Sequence, residues 1–548
     1  DRPLAPGEVR PVWIDVDRSR RRAAIGTEVA TVTVVTAGHA EAPKSLSVID
    51  DGPLVTAGGT PGEGPVDAAD VPPLHLMKSR LLFPSLPNAV DALGAGRYTS
   101  DVWLSNVDAL SPIKVVMTLT PTGQGASSTG VKYFVFSLGP GETRRFRNVV
   151  GTLFGWEGAC SLDVSSTSTT LSATAMVNNK PLVPLVAGKT AALGAAVAGT
   201  VLTTGEFGFE MRPVAVGEGA SASDPTFIVS GLQHDEARRT NLIRRETTGN
   251  ETVVRIELFG PDGDPVQKDG APVAFERPVP AFGSLQLNDA ELFPQGVMAK
   301  SAWARLTFVA GVVDTLGRNR GAVVPFATVI DSGTQDASLR VGVSTTALAP
   351  IRPDAPAFRG ASAHSAAQAT VDREPLFFPA AHVTGAALST GRTPRWRTRV
   401  TLSNVSTTEQ RNLRLRFQDK SGQLPPGTAL TSTVALLPRV SIRIDDVLED
   451  SFLVPASAGV WGTVTVDNSI RSDGSWDFTW TDVDVQTETY TADTENPALG
   501  EFRTGMEGYS FRHGYSSYQS NLGTVLIDGA EISPRNRTNL ILQEVGGT

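Results

Sequence analysis

The sequence predicts an all-β protein built from antiparallel β-sandwiches in tandem. Three observations predict it. Apolar and polar residues alternate with period two in short runs, as in Ile113, Val115, Met117 and Leu119, or Val254, Ile256 and Leu258. Turn signals such as Pro121-Thr122-Gly123, Gly139-Pro140-Gly141 and Gly260-Pro261-Asp262-Gly263 divide the runs, and long helical patterns are rare. The chain also repeats itself. Residues 100–107 (Ser-Asp-Val-Trp-Leu-Ser-Asn-Val) return at 398–405 as Thr-Arg-Val-Thr-Leu-Ser-Asn-Val, and Arg-Thr-Asn-Leu-Ile at 239–243 returns at 537–541. Both pairs are 298 residues apart, so a large block is read as duplicated.

Bulk properties bound the rest. A chain of 548 residues holds roughly three to five domains. Its 40% hydrophobic content is enough for packed cores. The net charge of −9 excludes the basic footprint of a nucleic-acid binder, and the basic residues Arg18 and Arg20–Arg22 read as a solvated N-terminal segment. A single cysteine, Cys160, excludes an internal disulfide or a CxxC metal site, and its neighbours Ala159, Leu162 and Val164 suggest a buried apolar position. No run reaches the ~18 apolar residues of a membrane helix. The chain opens at Asp1 without a signal-peptide pattern, which fits a processed, exported protein or an excised fragment.

The elements follow in order. Residues 1–79 contain two strands, with Val29, Ala30, Val32 and Val34 in the first and Leu46 and Val48 in the second, then a Gly/Pro/Asp-rich linker. Two strands do not make an independent sandwich. A first sandwich is expected at 80–195 and a second at 196–345, followed by an Ala/Pro/Ser-rich linker at 346–374. A third is expected at 375–498, where Phe378-Pro379 matches Phe83-Pro84, and part of a fourth at 499–548. Within the duplicated strand, Val102/Val400 and Leu104/Leu402 match and are read as the inward face, held by dense packing. Asp101/Arg399 and Trp103/Thr401 differ and are read as an unconstrained outward face. Asn106 and Asn404 sit just past the strand, where Asn bonds its own backbone in a turn.

The Ser-Asp-Val-Trp-Leu-Ser-Asn strand, the Leu-Gly-Pro-Gly-Glu-Thr turn at 138–143 and the Arg-Thr-Asn-Leu strand at 239 and 537 resemble the tandem Ig-like or fibronectin-like modules of exported bacterial surface proteins. The resemblance implies an extracellular scaffold and brings no catalytic residues.

The search for chemistry assigns no catalytic residue, metal ligand or cofactor. The six histidines are never within ten residues of one another, and HExxH, Gly-x-Ser-x-Gly, P-loop and dinucleotide motifs are lacking. Asp262-Gly263-Asp264 with Asp269-Gly270 lacks the spacing of a calcium loop, and both this stretch and Asp473-Gly474 read as turns. Tyr509, Phe511, Tyr515 and Tyr518 cluster among polar residues. They read either as strand aromatics packed between the third and fourth units or as a glycan- or protein-binding patch.

The expected function is therefore that of a non-enzymatic extracellular structural or adhesive protein. A carbohydrate- or cell-surface-binding module is the alternative. Counterparts of residues 254–344 in the fourth unit would fall at 552–642. Either the natural chain continues, or another segment completes the fourth unit by strand addition. The candidate donors are Val29, Ala30, Val32, Val34, Leu46 and Val48, and the acceptors Leu540 and Ile541. Donor and acceptor would belong to one chain or to neighbours in a homopolymer.

Overall fold

A computed structural model describes residues 64–72, 76–90, 96–181, 207–332, 334–345, 376–384, 395–468 and 483–492, with the backbone of short strands at 9–12, 28–34, 44–49, 185–186, 201–202, 501–507, 509–510 and 540–543. It is an all-β protein of antiparallel sandwiches.

Three N-terminal strands come first: β1 (Val9–Val12), β2 (Glu28–Val34) and β3 (Lys44–Ile49). An edge strand β4 (Gly64–Val66) pairs with β8 of the first sandwich. That sandwich comprises β5 (Ser79–Val90), β6 (Gly96–Asn106), β7 (Ile113–Pro121), β8 (Lys132–Leu138), β9 (Thr143–Phe146), β10 (Gly158–Ser166), β11 (Leu171–Pro181), β12 (Phe207–Met211) and β13 (Val214–Ala215).

The second repeats the scheme with β14 (Thr226–His234), β15 (Arg238–Glu246), β16 (Thr252–Phe259), β17 (Ala274–Val279), β18 (Ser284–Leu287), β19 (Ala299–Val313), β20 (Ala322–Asp331), β21 (Ala337–Val341) and β22 (Val343–Ser344). The third has β23 (Leu376–Thr384), β24 (Arg395–Asn404), β25 (Arg411–Asp419), β26 (Thr431–Leu436), β27 (Ser441–Ile444), β28 (Val460–Asn468), β29 (Val483–Ala492), β30 (Glu501–Glu507) and β31 (Tyr509–Ser510). A last strand, β32, spans Leu540–Gln543.

Pairing is the same in all three. One sheet, called the front, runs β8-β7-β10-β5-β13, with β17-β16-β19-β14-β22 and β26-β25-β28-β23-β31 as its equivalents. The back sheet runs β9-β6-β11-β12, then β18-β15-β20-β21 and β27-β24-β29-β30. A short helix follows the fifth strand of each: α1 (Val149–Thr152), α2 (Asp289–Leu292) and α3 (Val447–Phe452).

The period-two face of each strand fills a core. Val102, Leu104, Val115, Met117, Leu119, Leu162 and Val164 are buried together in the first sandwich, and Val400, Leu402, Leu413, Leu415, Phe417, Val464 and Val466 in the third. Cys160 is buried there as expected, its thiol donating to the Leu86 carbonyl at 3.1 Å.

The last residue of the second strand ties two loops together. Asn106 donates to the carbonyls of Ser111 (2.8 Å) and Gly139 (2.9 Å) and accepts from Asp108 N–H. Asn404 donates to Glu409 and Leu436 and accepts from Ser406 N–H. In the second sandwich Glu246 stands there and accepts from the N–H groups of Thr248, Gly249 and Phe282. Each acts across two loops, a longer reach than the local Asn turn expected.

Two boundaries differ from the sequence reading. β12 and β13, placed by sequence in a unit beginning at 196, add to the sheets of the first sandwich. β30 and β31, placed in a unit beginning at 499, add to the third. The Gly/Ala-rich stretch before β12 reads as a boundary, yet it joins neighbours in one sheet. Pairing covers the open edges of β11 and β5, and an exposed strand edge is costly.

Candidate functional site

The sandwiches meet sheet against sheet, and these joints hold the unusual chemistry of the chain. The front sheet of the first faces the back sheet of the second. Leu82 and Val214 of the first pack there on Ile243, Val324 and Phe326 of the second. Beside this apolar patch, the Arg245 guanidinium of β15 pairs with Asp163 of β10, and both side chains are almost fully buried. Asp163 also accepts from Arg80 at 2.5 Å, and Arg80 lies 3.5 Å over the Phe282 ring. Burial pushes the Arg245 pKa below its ordinary value, and the Asp163 charge opposes the shift.

The front sheet of the second sandwich, together with the edge strand β21 of its back sheet, faces the back sheet of the third. Here the apolar part is small: Ile228, Phe259 and Trp303, flanked by Val343 and Val405. Polar groups dominate. Glu488 of β29 pairs with Arg340 of β21, accepts from Ser338 at 2.6 Å, and pairs with Arg399 of β24 at 3.0 Å. The side chains of Glu488, Arg340 and Arg399 are each only 2% exposed. Arg399 reaches on to Asp445 at 2.8 Å, which Arg443 also holds at 2.6 Å. Burial alone would raise the Asp445 carboxyl, but the Arg443 and Arg399 charges outweigh it and hold the pKa below its usual value. Ser230 bonds to Asp484, Ser301 to Ser441 at 2.8 Å, and the Trp303 indole donates to the Arg439 carbonyl at 3.0 Å. Gly231, at φ +70°, lies where an added Cβ would come 2.9 Å from Arg340 Nε, so only glycine allows this approach.

In the third sandwich the face read from sequence as unconstrained is thus an interface. Arg399 and Thr401 are 2% and 3% exposed. Asp101 and Trp103 are equally covered in the first sandwich, where Arg145 bonds Asp101 at 2.8 Å and lies over the Trp103 ring. The two copies differ in what covers this face, the second sandwich at Thr401 and Arg145 of the same sheet at Trp103.

Three further polar features sit inside the sandwiches. His234 pairs with Asp289 at 2.7 Å, and His382 with Asp446 at 2.7 Å, each joining the first strand to the start of the helix. Ligand atoms of His382, Asp446 and Glu449 lie within 4.8 Å of one another. Both Asp446 oxygens are engaged, one by His382 and Arg397 (2.9 Å), the other by the N–H groups of Leu448 and Glu449. With Arg397 already supplying the positive charge, this donor set is a strand-to-helix clamp rather than a metal cradle. The third feature is Arg244, which is 2% exposed and occupies the core position of Leu104 and Leu402. Burial, aided by Arg277 and opposed by Glu291, lowers its pKa to about 10.

The candidate residues from sequence are distributed differently from the expectation. β2, with Val29, Ala30, Val32 and Val34, pairs with β3, which carries Leu46 and Val48: Ala30 stands opposite Val48 and Val32 opposite Leu46. The acceptor strand β32 pairs with β1 instead, Leu540 opposite Val12 and Ile541 opposite Pro11. Tyr509 lies in β31 opposite Phe377, at the edge of the third sandwich. Phe511, Tyr515, Tyr518 and the Asp473-Gly474 turn lie outside the described residues. The Asp262–Asp264 stretch is a tight turn, with Gly260 N–H bonded to the Asp264 carbonyl at 2.8 Å. The joint residues were missed because an Arg or Glu alternating with core residues looks like any solvent-facing strand position.

No family model matches the chain, and no curated protein matches it. Among solved structures, the partial N-terminal region of an enterococcal surface protein is similar at 9% identity, covering 53% of this chain and 91% of that one. The TM-score is 0.17, too low to carry an argument about fold or function. Among the described residues, no helix is long and apolar enough to cross a membrane.

Proposed function

We propose that the protein is a non-enzymatic structural or adhesive scaffold of the extracellular or cell-surface space, a stiff assembly of sandwiches held at fixed angles to one another. The observation that carries this reading is the pair of buried joints. Linked domains usually move relative to one another unless the interface between them is extensive. Here bending either joint would strip partners from guanidiniums and carboxylates that water does not reach, at several kcal/mol per uncompensated charge. Spin labels on the outer strands of the first and third sandwiches test it. A narrow distance distribution that broadens in Glu488→Gln supports a stiff array, and a broad one in the wild type overturns it.

A second reading, strand complementation, is favoured by a separate observation. β32 lies 298 residues after Leu242–Arg245 of β15. In the second sandwich, Leu242 stands opposite Leu287 and Arg245 opposite Ser284 of β18. In β32, Leu540 stands opposite Val12 and Gln543 opposite Val9 of β1. β1 thus lies antiparallel on the residues of β32 whose counterparts in β15 carry β18 on one side and β20 on the other. On this reading an N-terminal strand completes the C-terminal unit, within the chain or from a neighbour in a fibre. Cysteines at Arg10 and Leu542 separate these cases, since Cys160 is buried. An intramolecular disulfide means closure, an intermolecular ladder means a polymer, and no cross-link at all rules out the pairing.

A further inference from the structure

The joint between the second and third sandwiches encloses a cleft of about 270 Å³, lined by Arg238, Pro261, Lys300, Ser301, Ser441, Arg443 and Asp445. Three of the seven side chains are cations and one is an anion. The chain as a whole carries a net charge of −9, so a lining with more cations than anions stands out against the rest of the molecule.

The carboxylates inside the joint are already shared. Asp445 holds both Arg399 and Arg443, and Glu488 holds both Arg340 and Arg399. Arg443 spends its Nε and Nη2 on Asp445 and its Nη1 on Gln233 at 3.1 Å, leaving part of its five-donor fork uncommitted. Burial and the charges of Arg399 and Arg238 together lower its pKa, so like charges are pressed together here. The floor is a row of hydroxyls, Ser301 to Ser441 to Ser403, spaced 2.8 and 2.7 Å and all nearly inaccessible. Lys300 is exposed at the rim.

We propose that this cleft is a binding site for a small oxyanion, a phosphate or sulfate group, held by Lys300, Arg443 and Arg238 over the Ser301–Ser441 hydroxyls. Guanidinium donors suit the paired oxygens of such a group, and a lysine at the rim adds a mobile point charge. The volume exceeds that of one such group, so the cleft has room for an anionic ester head together with part of the body it is attached to. The bound anion would neutralise the excess charge and fix the angle between the second and third sandwiches. This rests on the cleft, and holds whether or not the chain is a scaffold.

The test is calorimetric titration of the full chain with inorganic phosphate at pH 7 and constant ionic strength, with sulfate and acetate as separate arms. The wild type is expected to bind phosphate saturably. Lys300→Glu, a rim change that leaves the fold intact by circular dichroism, is expected to bind at least tenfold more weakly. Lys300→Arg should retain binding. Sulfate binding alone would assign the site to sulfate esters, and phosphate binding alone to phosphate esters. Equal affinity in Lys300→Glu, acetate binding as well as phosphate, or no saturable heat with any oxyanion would overturn the proposal.

Discussion

The two joints share one geometry and use opposite chemistry. In both, a front sheet meets a back sheet, and at the second joint the back-sheet edge strand β21 joins in with Ser338 and Arg340. The first joint is an apolar patch of Leu82, Val214, Ile243, Val324 and Phe326 with a buried carboxylate, Asp163, between two arginines. The second is a polar network centred on Glu488, with little apolar surface. The difference teaches how each is specified. Apolar surface contributes energy without direction, whereas paired charges fix an angle, because a misaligned guanidinium loses its partner. The first joint should therefore be the stronger and the second the more exacting.

The largest effect should come from Glu488→Gln. It leaves Arg340 and Arg399 buried and under-compensated, and should cost about 4–5 kcal/mol in urea unfolding. Hydrogen exchange should rise in β21 and β27 and stay unchanged at the first joint; a global rise would show the joints to be one cooperative unit. Asp163→Asn should cost about 3 kcal/mol, less because Arg80, one of its two partners, is partly exposed and regains water. The joints separate further in the double variants. Asp163→Leu with Arg245→Leu removes the fully buried pair, and the Arg80 it leaves over is 14% exposed and can turn to water, so this variant should come closer to neutral. Glu488→Leu with Arg340→Leu should remain destabilising, because Arg399 keeps its charge. If the two double variants behave alike, the distinction fails.

Smaller changes sharpen it. Ile243→Val should cost about 1 kcal/mol and affect only the first joint. Asp445 has a folded pKa below its unfolded one, so its contribution is present above the ordinary carboxylate range near pH ~4 and is lost as the pH falls through the folded value. Asp445→Asn should therefore flatten the acid limb of the stability profile below about pH 4, modestly, since the side chain is 59% exposed. The smallest signal is kinetic. Burial pushes the Cys160 thiol pKa up and shields it, so a thiol reagent should label it only as the first sandwich opens. Labelling at the rate of a free thiol in native buffer would contradict the core position.

The sequence alone determined the fold class and the inward faces. Val102, Leu104, Val400 and Leu402 announce themselves because period-two alternation follows from the strand backbone and a packed core tolerates few substitutions. It also placed the Asn106 and Asn404 turns and the burial of Cys160. It did not give the strand membership of 207–215 and 501–510, since edge pairing joins segments that no local pattern links. Nor did it give the joints. Arg245, Arg340, Arg399 and Glu488 occupy strand positions that water would accept as readily as a partner. Only the tertiary structure decides which of the two covers them, because burial of an outward face depends on a second surface hundreds of residues away rather than on the strand that carries it.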